Sequence, residues 1–185
     1  ARALDKVGAQ VEDFVGGIAT LGDRLGPLVW QFDTGTRLQP ASFEAFLDLL
    51  PRQVDGRALR HVLDVRDPDF FTPALLSMVR QRGMATVFSD SDDYPRFADL
   101  SGGLVYARVM RASQALPQGY TGKALDAWAQ RVEAWAAGED IPALPHLEAP
   151  QPKGPAREVF LFFIAGDKER NPSAAMALLQ RLGAR

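Results

Sequence analysis

Residues 61–71 read HVLDVRDPDFF, an apolar run with an acid and a base two positions apart. Alternate side chains of a strand share a face. Asp64 and Arg66 therefore project together, and Leu63 and Val65 project the other way. The pairing has two readings. It is a general base beside a guanidinium fork that holds an anion, or an ion pair that ties strands down, because an unpartnered buried charge costs several kcal/mol. Three other stretches invite the same scrutiny. GDKERNP, 166–172, sets Lys168 and Arg170 just ahead of a helix, which suits a bound phosphate but equally a solvated loop capped by Asn171. SDSDD, 89–93, supplies carboxylates for Mg²⁺ or Ca²⁺ but lacks the Gly and Glu of a calcium loop, so it reads as a solvated turn and no metal is expected. His61 opens a strand and reads as structural, while His146 sits in a Pro-rich loop that offers a catalytic role little support.

Composition removes several classes. The 185 residues are enough for one domain with a sizeable core. The net charge is −2, against the excess Lys and Arg on which non-specific duplex binding runs. Residues 1–150 carry 15 basic and 20 acidic side chains, whereas 151–185 carry 6 and 3, so the C-terminal end is locally basic. Without Cys there are no thiolate metal sites, disulfides or thiol nucleophiles. No apolar run reaches the roughly 18 residues of a membrane span, and no signal-like segment opens the chain, so a cytoplasmic location is expected. No cofactor is expected either. DTGTRLQP after the first strand lacks G-x-G-x-x-G, and PQGYTGKA departs from a P-loop at Pro117 and Ala124.

The elements alternate. Helices are expected at 3–21 (weakened at Gly16-Gly17), 41–51 with Ser42 as N-cap, 72–83 from Thr72 and Pro73 to Gly83, 121–138 and 172–183. Strands are expected at 28–32, 61–65, 84–90, 104–110 and 158–166, with an irregular link after the third and a Pro-rich loop at 141–155. In the fourth helix Leu125, Trp128, Val132 and Trp135 make one stripe, a core face and no platform for bases. Strands alternating with helices give βαβ units and a parallel sheet. The chain reads as a single domain over 1–185.

The motifs LGDRLGPLVWQF, LDVRDPDFF, GMATVFSDS, LVYARVMR, DAWAQRVEAWAAG and NPSAAMALLQRL, in that order, resemble the YecE-like family, a domain of unknown function with a TIM-barrel fold. The resemblance covers nearly the whole chain. It implies an α/β parallel barrel of TIM type, of which this chain holds the last five of eight βα units. The native gene product is then expected to extend upstream of Ala1. The family's penultimate strand usually ends Arg-Leu-His-Gly, where Arg108-Val109-Met110-Arg111 stand here. Its Asn-Asn pair is replaced at Ile164-Ala165-Gly166. Positions that match are Gln31, Arg66, Asp90 and Arg108, with Asp64 in place of the commoner Glu.

On a barrel, strand faces alternate between interior and helix layer. Val105, Ala107 and Val109 suit the helix layer, which sends Leu104, Tyr106, Arg108 and Met110 inward. The same phasing sends Val62, Asp64 and Arg66 inward, along with Val29, Gln31 and Asp33, and with Thr86, Phe88 and Asp90. Polar residues thus gather toward strand C-terminal ends, where barrel sites are built. The leading expectation is an enzyme, a hydrolase or a lyase- or isomerase-like barrel, acting on a small phosphorylated or carboxylated anion. Asp64 and Asp90 are its candidate catalytic residues. Gln31, Arg66, Tyr106, Arg108, Lys168 and Arg170 are its candidate binding residues, Tyr106 being alternatively barrel core. The competing expectations are a non-catalytic module for a protein or a structured nucleic acid, and a decayed paralogue with a scaffold role.

Overall fold

Short apolar runs bounded by Gly and Pro become strands, and the amphipathic stretches between them become helices laid on one face. The computed structural model describes residues 4, 7–35, 38–164 and 166–183. Residue 3, where the first helix was expected to start, and Ala165 lie outside them. In chain order the elements are α1 (Gly8–Ala19), β1 (Leu28–Phe32), α2 (Pro40–Leu49), a small hairpin of β2 (Gln53–Val54) and β3 (Arg57–Ala58), β4 (His61–Val65), α3 (Pro73–Gln81), β5 (Ala85–Asp90), β6 (Leu104–Val109), α4 (Gly122–Ala136), β7 (Glu158–Phe163) and α5 (Asn171–Arg181). The five long strands form one parallel sheet in the order β1-β4-β5-β6-β7. This is an α/β fold consistent with a partial α/β barrel.

The sheet is strongly curved. β1 and β6 are three strand spacings apart, about 14 Å on a flat sheet, yet Arg108 Nη1 donates to Gln31 Oε1 across 3.2 Å. At the opposite end Arg60, just before β4, pairs with Glu158 of β7 over two intervening strands. Both pairs span three strand spacings, a reach that a curved sheet shortens.

The convex face carries the larger cores. Leu28, Phe32, Leu63 and Val65 pack with Phe43, Phe46 and Leu47 of α2, Leu75 and Val79 of α3, and Val11 and Val15 of α1. Val105, Ala107 and Val109 pack with Leu125, Trp128 and Trp135 of α4 and Ala174 and Leu178 of α5. Burying one such large side chain contributes about 1.5–3 kcal/mol. Ala129, not Val132, completes the buried stripe of α4. A smaller cluster of Val62, Ala85, Val87 and Leu104 lines the concave face.

Three expectations need correction. Ser42 does not cap α2, because Pro40 starts the helix two residues earlier and Gln39 stands at the cap. Asn171 does not cap α5; it is the first helical residue, followed by Pro172. The hairpin β2–β3 was not expected, although Asp55-Gly56 is the dipeptide that turns such ribbons; both residues have positive φ, 49° and 75°. Thr72 caps α3 as expected, accepting from Leu75 N at 3.2 Å, and Thr121 caps α4, accepting from Ala124 N at 3.1 Å.

The Pro-rich loop 141–155 is a strap over the link 91–103. Pro145 O accepts from Ala98 N at 2.8 Å. The buried Asp99 carboxylate accepts from Leu147 N and Glu148 N at 2.8 and 3.0 Å. His146 bridges Leu144 O and Asp140, with Nε2 2.8 Å from the Asp140 carboxylate. Burial alone would push its imidazole down. The Asp140 hydrogen bond, the Leu144 carbonyl, and the charges of Asp140 and Asp99 outweigh burial and raise it above the usual value. His61 behaves oppositely. Trp30 Nε1 can only donate, so His61 Nδ1 accepts it at 3.0 Å and Nε2–H donates to Pro51 O at 2.8 Å. That pairing needs the neutral ring, and burial pushes the imidazole down against the Pro51 bond.

The two histidines therefore load opposite limbs of the stability curve. The His146 contribution is complete below the unfolded value of about 6.5 and fades as pH rises through its raised folded value. The His61 contribution is complete above about 6.5 and fades as pH falls through its lowered one. An NMR titration of the two imidazoles is expected to give one midpoint on each side of about 6.5, with His146 the higher. The reverse order would contradict both environments.

Candidate anion-binding site

The concave face is apolar at mid-height and charged at the strand C-terminal ends. β1 contributes Gln31 and, just past its end, Asp33; β4 contributes Asp64, with Arg66 following it; β6 contributes Arg108. Asp64 is the hub. Its side chain is 4 % exposed, and its Oδ2 accepts from both Arg66 Nε, at 3.2 Å, and Arg108 Nη1. Arg66 also donates to Asp33 at 3.3 Å and to Gln31 at 3.0 Å. Gln31 Nε2 in turn donates to Asp33 at 2.9 Å. The ring of Tyr94, on the link 91–103, lies 4.2 Å under the Arg66 guanidinium. Two carboxylates thus balance two guanidiniums in one small region.

The two arginines are not equivalent. Arg66 spends its nitrogens on Asp64, Asp33 and Gln31. Arg108 is anchored through Nη1 alone, to Asp64 and Gln31. Among the described residues nothing takes a hydrogen bond from Arg108 Nε or Nη2. Those two atoms form the side-on fork that grips a carboxylate or phosphate bidentately. The Arg108 side chain is 13 % exposed, so the fork is held in place yet reachable.

Asp90 is the main correction. It was phased inward with Thr86 and Phe88, but β5 runs in the other phase. The bulky Phe88 ring needs the deep convex layer, where it lies 6.3 Å from Trp128 and 5.9 Å from Trp135. Ala85 and Val87 take the concave side. Asp90 follows Phe88 outward and pairs with Arg111 at 3.2 Å. It also adds to the upward pull on the nearby Tyr120 hydroxyl, which burial first of all raises to about 12. Ser89 stands on the concave side instead, buried, directly opposite Arg108 in the ladder.

The remaining candidates fall as follows. Tyr106 is on the concave face, half-buried against Phe160 and Phe162. Lys168 is exposed on a short turn and Arg170 lies beside Gly119; neither joins the cluster. Their loop is tied to 111–120, with Asp167 N donating to Ala112 O at 3.1 Å and the Asp167 carboxylate accepting from Gln114 N. Asp92 pairs with Arg111 at 2.7 Å, and no group of three or more metal-type ligands forms among the described residues. His146 holds the strap. Sequence reasoning placed Asp33 in phase but not in the site, and missed Tyr94, Ser89 and Phe162. Asp33 was findable as the second residue after Gln31. Tyr94 sits in an irregular link with no periodicity, and the all-apolar VFLFF run of 159–163 gives no phase for Phe162.

No helix among the described residues is long and apolar enough to cross a membrane. The profile of a family described as "Protein of unknown function DUF72" matches residues 1–185. No curated protein matches the chain. Two solved structures share its fold. A DUF72 family protein from Thermotoga maritima MSB8 superposes with a TM-score of 0.65 at 15 % identity, over 95 % of this chain and 64 % of that one. A DUF72 family protein from Enterococcus faecalis V583 gives 0.65 at 11 % identity, over 96 % and 66 %. The chain therefore spans slightly less than two thirds of either.

Proposed function

The chain belongs to the DUF72 family of proteins of unknown function, and from that premise we propose that it binds a small carboxylated or phosphorylated molecule through Arg108. The observation that carries this reading is the unspent Nε/Nη2 fork of Arg108, held rigid by Asp64 and Gln31. The five strands are read as part of a larger TIM-type barrel, in which strand C-terminal ends form the mouth. In this reading Asp64 is a positioning residue and not a base, because one oxygen is already shared by two guanidiniums. Arg66 braces Asp64 and Gln31. If the site is catalytic, the anion is gripped by Arg108 and the reacting part of the substrate lies toward Ser89 and Tyr106.

Calorimetric titration at fixed ionic strength tests this, with inorganic phosphate and small carboxylates as probes. Arg108→Ala is expected to weaken binding about 10- to 100-fold, the worth of charge-assisted hydrogen bonds. It should still fold, because Asp64 keeps Arg66. Arg108→Lys keeps the charge without the fork and should recover only part of the loss. Arg66→Ala should lower stability more than Arg108→Ala does. Unchanged affinity in Arg108→Ala would overturn the proposal.

A further inference from the structure

Phe162, on the strand next to Arg108, is 41 % exposed. β7 is the last strand of the sheet and none of its residues is fully buried. Val159, Leu161 and Phe163 turn toward the convex core, while Phe160 joins the concave cluster. Phe162 continues that concave phase one step further toward the mouth. In the ladder it is the direct partner of Arg108, about 4.8 Å away by strand spacing. Tyr106 fills the space beside them. Its ring is stacked 5.0 Å from Phe162 at 28° and 6.4 Å from Phe160 at 21°. The Arg108 guanidinium lies 6.0 Å from the Tyr106 ring centre. A cation with a free fork and an aromatic row with an open flank thus adjoin on one surface.

We infer that the preferred ligand is an aryl carboxylate, with its ring on Phe162 and Tyr106 and its carboxylate in the Arg108 fork. The inference rests on the anion-binding reading given above and narrows it. An inorganic or short aliphatic anion fills the fork but leaves the aromatic flank in water. A planar ring one or two bonds from the carboxylate covers both, in the offset or edge geometry that aromatic pairs prefer. Charge selects the single negative head. Asp33 and Asp64 already offset Arg66, and Arg108 in part, so one bidentate grip remains and a dianion gains nothing further from the cluster.

Titrations of this 185-residue chain with benzoate, acetate and inorganic phosphate, followed by NMR shift changes, test the inference. Benzoate is expected to bind at least about tenfold more tightly than acetate. Phe162→Ala should bring benzoate down to the level of acetate and leave acetate unchanged. Phe162→Tyr, which keeps the ring, should retain the preference. Benzoate binding no tighter than acetate, or a preference that survives Phe162→Ala, would overturn the inference while leaving the anion site standing. If none of the three anions binds, the anion reading fails and takes the inference with it.

Discussion

Asp64→Ala is expected to lose about 3–5 kcal/mol of stability, because it strands two arginines that share its carboxylate. Arg66 and Arg108 are only 12 % and 13 % exposed, so water replaces the lost carboxylate poorly. For a chain of this length the loss corresponds to a melting temperature lower by roughly 10 °C. Asp64→Asn separates charge from shape. The amide oxygen still accepts one hydrogen bond, so a smaller loss is expected, with the second guanidinium left unmatched. Replacing Asp64, Arg66 and Arg108 together by apolar residues of similar volume should recover much of the loss, since a buried ionic cluster need not be worth more than good packing. Urea unfolding gives the comparison, provided the slopes agree. A loss below about 1 kcal/mol for Asp64→Ala would mean that the cluster is solvated like an ordinary surface network.

Gly138→Ala is expected to cost about 3 kcal/mol, although it adds a single methyl group at the end of a helix. Gly138 follows α4 with φ +83°, a region that costs an L-residue on the order of 1–3 kcal/mol. The added Cβ would lie 2.8 Å from the carbonyl carbon of Pro155, and closer still to the Gly154 and Pro155 oxygens. All of these are backbone atoms that cannot step aside without moving the strap. Gly138 O also accepts from Gly154 N at 2.9 Å. The strap pins the 91–103 link through Asp99, and that link carries Tyr94 to Arg66. The substitution should therefore loosen the site's outer wall as well as the fold. Hydrogen exchange at Leu147 and Glu148, whose amides donate to Asp99, should rise in the variant. Unchanged stability and unchanged protection there would show that strap and link are not coupled.

Much of the architecture was legible in the residues. Alternating strand and helix runs foretold the parallel sheet, and Thr72, Pro73 and Gly83 marked α3 to within about two residues. β6 was phased correctly because small apolar residues alternate there with larger or charged ones. β5 was not, because ATVFSD offers no such contrast and side-chain volume decides. Phe88 needs the deep convex layer beneath Trp128 and Trp135, and its register takes Asp90 out of the site. The core of the cluster, Asp64 with Arg66 on one face, came from the strand period alone. Its closure did not. Gln31 meets Arg108 across three strand spacings, and no short stretch of sequence encodes a contact between such distant strands. The inequality of the two arginines was equally hidden, since it depends on which nitrogens their neighbours occupy.

Arg108, and not Arg66, presents a fork for an anion in the proposed site. The most direct measurement follows the arginine Nε–H resonances by ¹H–¹⁵N NMR as benzoate or inorganic phosphate is added. The Arg108 Nε–H signal is expected to move in proportion to occupancy and to exchange more slowly with water, while the Arg66 signal, already bonded to Asp64, stays nearly still. An Arg108 signal that does not respond while anion binds elsewhere, or an Arg66 signal that responds in its place, would contradict it.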